Sequence, residues 1–150
     1  MRVSTLGFGV VDVPETCLLH FPDGIHGFPH MRRCCLLPHP DSPGVRWLQC
    51  IDDPALVFLT VEPYLAFTDY QIELSAADAD ALGLTDARDA AVLALVTASN
   101  RGATANLLAP IIINTQTRSA RQVILEASGY HTKHPIVIGG PNGPPADAKE

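Results

Sequence analysis

The chain has 150 residues, 47% hydrophobic and 17% charged, with a formal net charge of -6; this suits one globular unit with its own core and excludes a wholly disordered chain. Ten Lys and Arg against sixteen Asp and Glu exclude a phosphate-tracking surface, because nucleic-acid affinity comes largely from cations that neutralise phosphates. No apolar run approaches the ~20 residues that span a bilayer, and Ser4, Thr5, Gly7 and Gly9 interrupt the region where a secretory signal would be apolar, so the expected compartment is the cytoplasm, with neither membrane nor nucleic acid as a direct partner.

Thirteen Pro and eleven Gly cut the chain into short pieces. Between them, in chain order, lie runs of strand length rich in β-branched and bulky apolar residues: Arg2 to Leu6, Val10 to Val13, Thr16 to Phe21, Arg33 to Leu37, Val45 to Ile51 and Val57 to Glu62. Tyr70 to Leu74 follows as another expected strand. Ser75, with Asp78 three residues on, then offers an N-cap and a first-turn acid to the helix-favouring Ala76, Ala77, Ala79, Ala81 and Leu82, and Gly83 ends that helix. Further strands are expected over Ala91 to Thr97, Pro110 to Asn114 and Gln122 to Ala127, with one short helical turn beginning at Thr104. Val57 to Val61 and Val92 to Val96 lack polar alternation, as strands buried on both faces do. The expected fold class is all-β and mainly antiparallel, a small barrel-like or sandwich domain with one or two short helices. A single β-rich domain is expected over residues 1–138, followed by a flexible Gly/Pro-rich tail over 139–150.

Signatures of catalysis are missing. Gly7-Phe8-Gly9 is followed by Asp12 and a strand-like stretch, so it is read as a plain turn and not a dinucleotide loop. Ser42 and Ser99 stand in no nucleophile elbow, and no Cys-x-x-Cys pair occurs. His20, His26, His30 and His39 cluster near Cys17, Cys34 and Cys35, which are zinc-type ligands, but Gly27 and Pro29 prevent the helix that would align His26 with His30. Reduced, buried thiols at Cys34 and Cys50 are expected, with no metal and no cofactor. Trp47, the one tryptophan, is expected in the core. The charge is concentrated: from Asp52 to Asp89 nine acids stand against Arg88 alone, a segmental -8. Such a segment is either a solvated face or an acidic docking surface for a basic protein.

The blocks Phe21-Pro22-Asp23-Gly24-Ile25 with Gly27-Phe28, Trp47-Leu48-Gln49, Asp53-Pro54, Asp69-Tyr70 and the long Thr104 to Asn114 block resemble, in order and spacing, the flagellar assembly factor FliW family. The resemblance spans about Leu6 to Ile136. It departs from the family pattern at His26, Pro29 and Cys50. It implies a non-catalytic, cytoplasmic β-barrel-like protein that binds the RNA-binding translational regulator CsrA, relieves repression of flagellin synthesis, and binds flagellin itself. Antagonism is then expected to be allosteric, without occupation of the RNA face. Two other readings stand beside it, a flagellin chaperone without CsrA antagonism and a small Cys/His metal protein. The acids expected to meet CsrA are Asp52, Asp53, Glu62, Asp69 and Glu73, with Asp78 and Asp80 assigned to capping and solvation.

Overall fold

Runs of β-branched residues between Gly and Pro breakers become strands because extended backbone suits their stiff side chains. In the computed structural model, which describes residues 1–137, these are β1 (Arg2–Thr5), β2 (Gly9–Asp12), β3 (Leu18–His20), β4 (Arg33–Pro38), β5 (Val45–Cys50), β6 (Val57–Val61), β7 (Ala90–Ser99), β8 (Gly102–Ala105), β9 (Ile111–Asn114), β10 (Ala120–Gln122) and β11 (His134–Ile136). The tail expected over 139–150 lies outside the described residues. β1 and β2 form a separate hairpin, and the rest make one sheet in the order β10-β9-β7-β6-β5-β4-β3, with β8 on β7 and β11 on β8. β7 pairs with β9 along Ala90 to Leu93 and with β8 along Val96 to Ser99; β6 takes its opposite edge at Ala94 to Val96. The ends of the sheet meet where His20 bridges Ser119 and donates its backbone N–H to the Arg118 carbonyl at 3.0 Å. The strand ladders among the described residues are antiparallel, the closing His20–Ser119 bridge is parallel, and this closure makes the domain barrel-like, as the sequence leads one to expect.

The central strands are buried on both faces. Phe58, Ile111 and Ile113 point into the barrel with Leu19, Phe21, Met31 and Leu48, whereas Leu59, Val61 and Ile112 join Tyr70, Leu82, Leu107 and Val123 on the outside. The period of two along a strand makes the division. A third cluster lies under the hairpin, where Val3 and Val13 cover Cys35.

One α-helix, α1 (Ala76–Leu82), caps the outer cluster with Leu82. Its N-terminus is held by Ser75, whose Oγ accepts the Asp78 N–H at 3.0 Å. At its other end Gly83 sits at φ 67° and donates to the carbonyls of Ala79 and Asp80, a left-handed C-cap that glycine adopts without strain. No helix among the described residues is long and apolar enough to cross a membrane.

Four local expectations need correction. Tyr70 to Leu74 forms no strand: it is held by a side chain, the Tyr70 hydroxyl donating to the Leu107 carbonyl at 2.7 Å, and not by a ladder. The turn expected to start a helix at Thr104 is β8, because Thr104 stands opposite both Thr97 and Pro135 and the backbone around it is drawn into two ladders. The strand expected over Gln122 to Ala127 is displaced to Ala120–Gln122, and Ala127 ends the following extended stretch at φ 59°. Trp47 lies at the edge of the core and not within it: it is half-buried against the outer cluster, its ring 5.7 Å from Phe8 at the hairpin tip and 6.4 Å from His39.

Candidate partner-binding surface

The acids of the Asp52 to Asp89 segment are distributed by the strands that flank them. Asp52 and Asp53 sit on the loop from β5 to β6, which Gln49 shapes from inside. Its buried Nε2 lies 3.0 Å from the Cys50 carbonyl and within 3.4 Å of those of Asp53, Pro54 and Leu56. Asp53 folds back so that its carboxylate accepts the Ala55 N–H at 3.1 Å, and His30 lies 3.9 Å away. Asp52 receives Arg33 through both Nε and Nη2. These hydrogen bonds hold the Asp52 carboxyl below its ordinary range and raise the Arg33 guanidinium. Such a pair has little net charge to offer at a distance.

Glu62 follows β6 at its far end, and Arg46 donates to it at 3.2 Å. Asp69 and Glu73 belong to the segment between β6 and α1; both are exposed, and neither forms an ion pair among the described residues. The five acids therefore do not gather into one patch. Asp52 and Glu62 have arginine neighbours, Asp53 has a histidine 3.9 Å away, and Asp69 and Glu73 have neither among the described residues. Asp78, assigned to capping, does accept the Ser75 hydroxyl at 3.0 Å, but it also accepts Arg121 Nε at 3.0 Å, and Arg121 reaches on to Asp23.

Glu73 lies on one wall of a groove of about 810 Å³. That wall is the 71–75 segment, and the opposite wall is the extended stretch after β10, with Ile124 and Glu126 exposed along it. Val123 and Leu125 turn inward and donate their backbone N–H groups to the Pro110 and Leu108 carbonyls at 3.0 and 2.8 Å. Sequence reading missed Ile124, Glu126 and Arg121. The run Val123, Ile124, Leu125 is apolar throughout, so side-chain alternation gave no signal of which residues face outward or which edge is left unpaired. A second exposed apolar surface, formed by Leu6, Phe8 and Val10, lies at the hairpin tip.

The thiols are divided by the same alternation. Cys34 and Cys50 are cross-strand partners inside the barrel, whereas Cys35 faces the hairpin with Cys17 beside it. All four are free, and burial pushes the Cys34, Cys35 and Cys50 thiols up. Among the described residues no three His, Cys, Asp or Glu side chains converge in a group suited to a metal ion.

A family model described as FliW protein matches residues 2–136. A flagellar assembly factor FliW from Moorella thermoacetica is 42% identical over 139 residues, covering 91% of this chain and 88% of its own. One from Heliobacterium modesticaldum is 38% identical over 136 residues, with 89% of each chain covered. A crystal structure of the flagellar assembly factor FliW superposes with a TM-score of 0.83 at 35% identity, covering 90% of this chain and 96% of the other.

Proposed function

The chain belongs to the FliW family of flagellar assembly factors, and from that premise we propose that it acts in the cytoplasm as a non-catalytic binding protein that takes the regulator CsrA and flagellin in turn. Bound to this protein, CsrA no longer represses flagellin translation. Accumulating flagellin captures the protein, frees CsrA and lowers its own synthesis. The circuit needs no chemistry beyond two competing equilibria, so partner concentrations and relative dissociation constants decide which complex is populated.

The observation that carries this reading is the family match over residues 2–136, and the acidity of the Asp52 to Asp89 segment supports its CsrA half. A regulator that binds RNA presents basic residues, and an acidic partner is drawn to them over about a Debye length, ~8 Å at physiological salt. Asp52, Asp53, Glu62, Asp69 and Glu73 are the acids proposed to act. Asp69 and Glu73 contribute most, because Arg33 and Arg46 already offset Asp52 and Glu62. The test is pulldown with purified CsrA and flagellin, singly and together. Each is expected to bind alone, and flagellin to displace CsrA. Retention of flagellin without CsrA would leave a dedicated flagellin chaperone as the function, and retention of neither overturns both readings.

A further inference from the structure

The stretch from Val123 to Glu126 is a sheet edge with one side in use. In extended backbone, successive residues send their N–H and C=O groups to opposite sides. Val123 and Leu125 donate inward to Pro110 and Leu108, which turns the N–H and C=O of Ile124 and the N–H of Glu126, where the chain enters a turn, the other way. Among the described residues no backbone group pairs with them. The outward side opens on the groove whose far wall is the 71–75 segment, and that segment is itself free of any ladder. The edge is short. Ala127 at φ 59° ends it, and Ser128 folds back to donate to the Leu125 carbonyl at 3.3 Å.

Charge states what the slot accepts. Glu73 on one wall and Glu126 on the other have no cationic partner among the described residues, while the one arginine there, Arg121, is engaged with Asp78 and Asp23. Ile124, half exposed, adds an apolar contact between the two carboxylates' walls. We propose that this groove takes an extended polypeptide segment of alternating basic and apolar residues, which adds as a strand along Ile124 and Glu126 and places its cations against Glu73 and Glu126. Main-chain hydrogen bonds hold such a segment while the carboxylates select it, the division of labour general to strand addition. A nucleic acid would be repelled by the same carboxylates.

The inference rests on the binding-protein reading only in making the occupant a polypeptide, so its test is separate from the pulldown above. The full chain is titrated with a short synthetic peptide of alternating lysine and valine, and with its glutamate-for-lysine counterpart. Hydrogen exchange at the Ile124 and Glu126 amides is expected to slow with the lysine peptide and to stay unchanged with the glutamate peptide. Ile124→Pro removes an N–H that no internal bond uses, so it is expected to fold and to lose the peptide. The Glu73→Lys, Glu126→Lys double variant is expected to bind the lysine peptide at least about tenfold more weakly, a loss of about 1.4 kcal/mol. Failure of the lysine peptide to slow the two amides in the wild-type chain overturns the inference, as does binding by the charge-reversed variant with wild-type affinity. These two readings decide the matter even if Ile124→Pro proves unfolded. If CsrA and flagellin are retained while the groove arms fail, the function stands and the groove is not its site.

Discussion

Gln49 shows how one buried amide organises a surface. Its side chain is fully buried and serves the carbonyls of the loop that presents Asp52 and Asp53. An apolar residue of similar size fills the space but takes the side-chain donor from the Cys50 carbonyl, whereas the Asp53, Pro54 and Leu56 carbonyls keep the backbone N–H groups of Leu56, Leu6 and Cys50; a buried unsatisfied group costs roughly 1–3 kcal/mol. Gln49→Leu is therefore expected to lower unfolding stability by about 2 kcal/mol in a urea titration, and to unpin the loop. His134 acts in a different way. Its ring stacks on His131 at 3.7 Å, and its Nε2 accepts the His131 backbone N–H at 3.0 Å, which requires that nitrogen to be unprotonated. Burial, then the neighbouring His131, push His134 below its ordinary value of 6.5. The unfolded chain thus takes up this proton at a higher pH than the folded chain does. The stability contributed by neutral His134 is complete above about pH 6.5 and is lost as pH falls through that value toward the folded pKa. His134→Gln is expected to flatten the fall in urea midpoint between about pH 7.5 and 5.5; an unchanged slope in the variant would assign that fall to other groups.

At the scale of the element, the Thr104 to Asn114 block is a set of junctions. Asn106 accepts the Ala109 N–H at 3.0 Å and turns the chain out of β8. The Leu107 carbonyl receives Tyr70, and Ile111 to Ile113 pass through both cores. Asn114 closes the block. Its Nδ2 donates to the Leu82 carbonyl at 2.9 Å, tying the end of α1 to the sheet, while its Oδ1 accepts the Gln116 and Thr117 N–H groups in the turn to β10. The end of α1, β9 and the turn to β10 meet at this side chain, which is nearly fully buried. Asn114→Ala is expected to cost about 2–3 kcal/mol, from the lost bonds and the orphaned helix carbonyl together. Ser75→Ala, which removes only a cap on an exposed helix start, is expected to cost about 1 kcal/mol. Comparing the two by thermal unfolding tests whether α1 is held mainly by Asn114 or by its own cap; equal losses would mean that Asn114 holds it no more firmly than the cap does.

For the whole molecule, the charge that counts is the charge left after local pairing. The segment's -8 is spread over a β-loop, a strand end, an irregular wall and a helix, and Arg33, Arg46 and Arg121 from other parts of the chain offset several of its acids. Exposed pairs of this kind contribute only about 0–1 kcal/mol to stability, but each removes one carboxylate from the long-range field. Reversing Asp69 and Glu73 to Lys is expected to slow association with CsrA severalfold at low salt and to flatten its salt dependence. The same reversal at Asp52 and Glu62 is expected to change the rate less and the stability slightly more. Stopped-flow association of both variants at two salt concentrations checks this, and equal rates for wild type and the first variant would reduce the acidic segment to a solvated face.

The sequence by itself determined the strand-rich class, the helix from Ser75 to Gly83, the Gly7 to Gly9 turn, the thiols' burial and the family, because each depends on neighbouring residues or on a long contiguous block. Caps act within one turn, and β-branched runs declare extended backbone wherever they sit. Only the tertiary structure decided that Tyr70 to Leu74 is a wall and not a strand, that Thr104 lies in a ladder, and that Asp52 meets Arg33 while Glu73 and Glu126 line one groove. The reason is the distance along the chain of the deciding partner. An extended segment becomes a strand only if another backbone, tens of residues away, offers its N–H and C=O groups, and a carboxylate is free only if no distant cation folds against it.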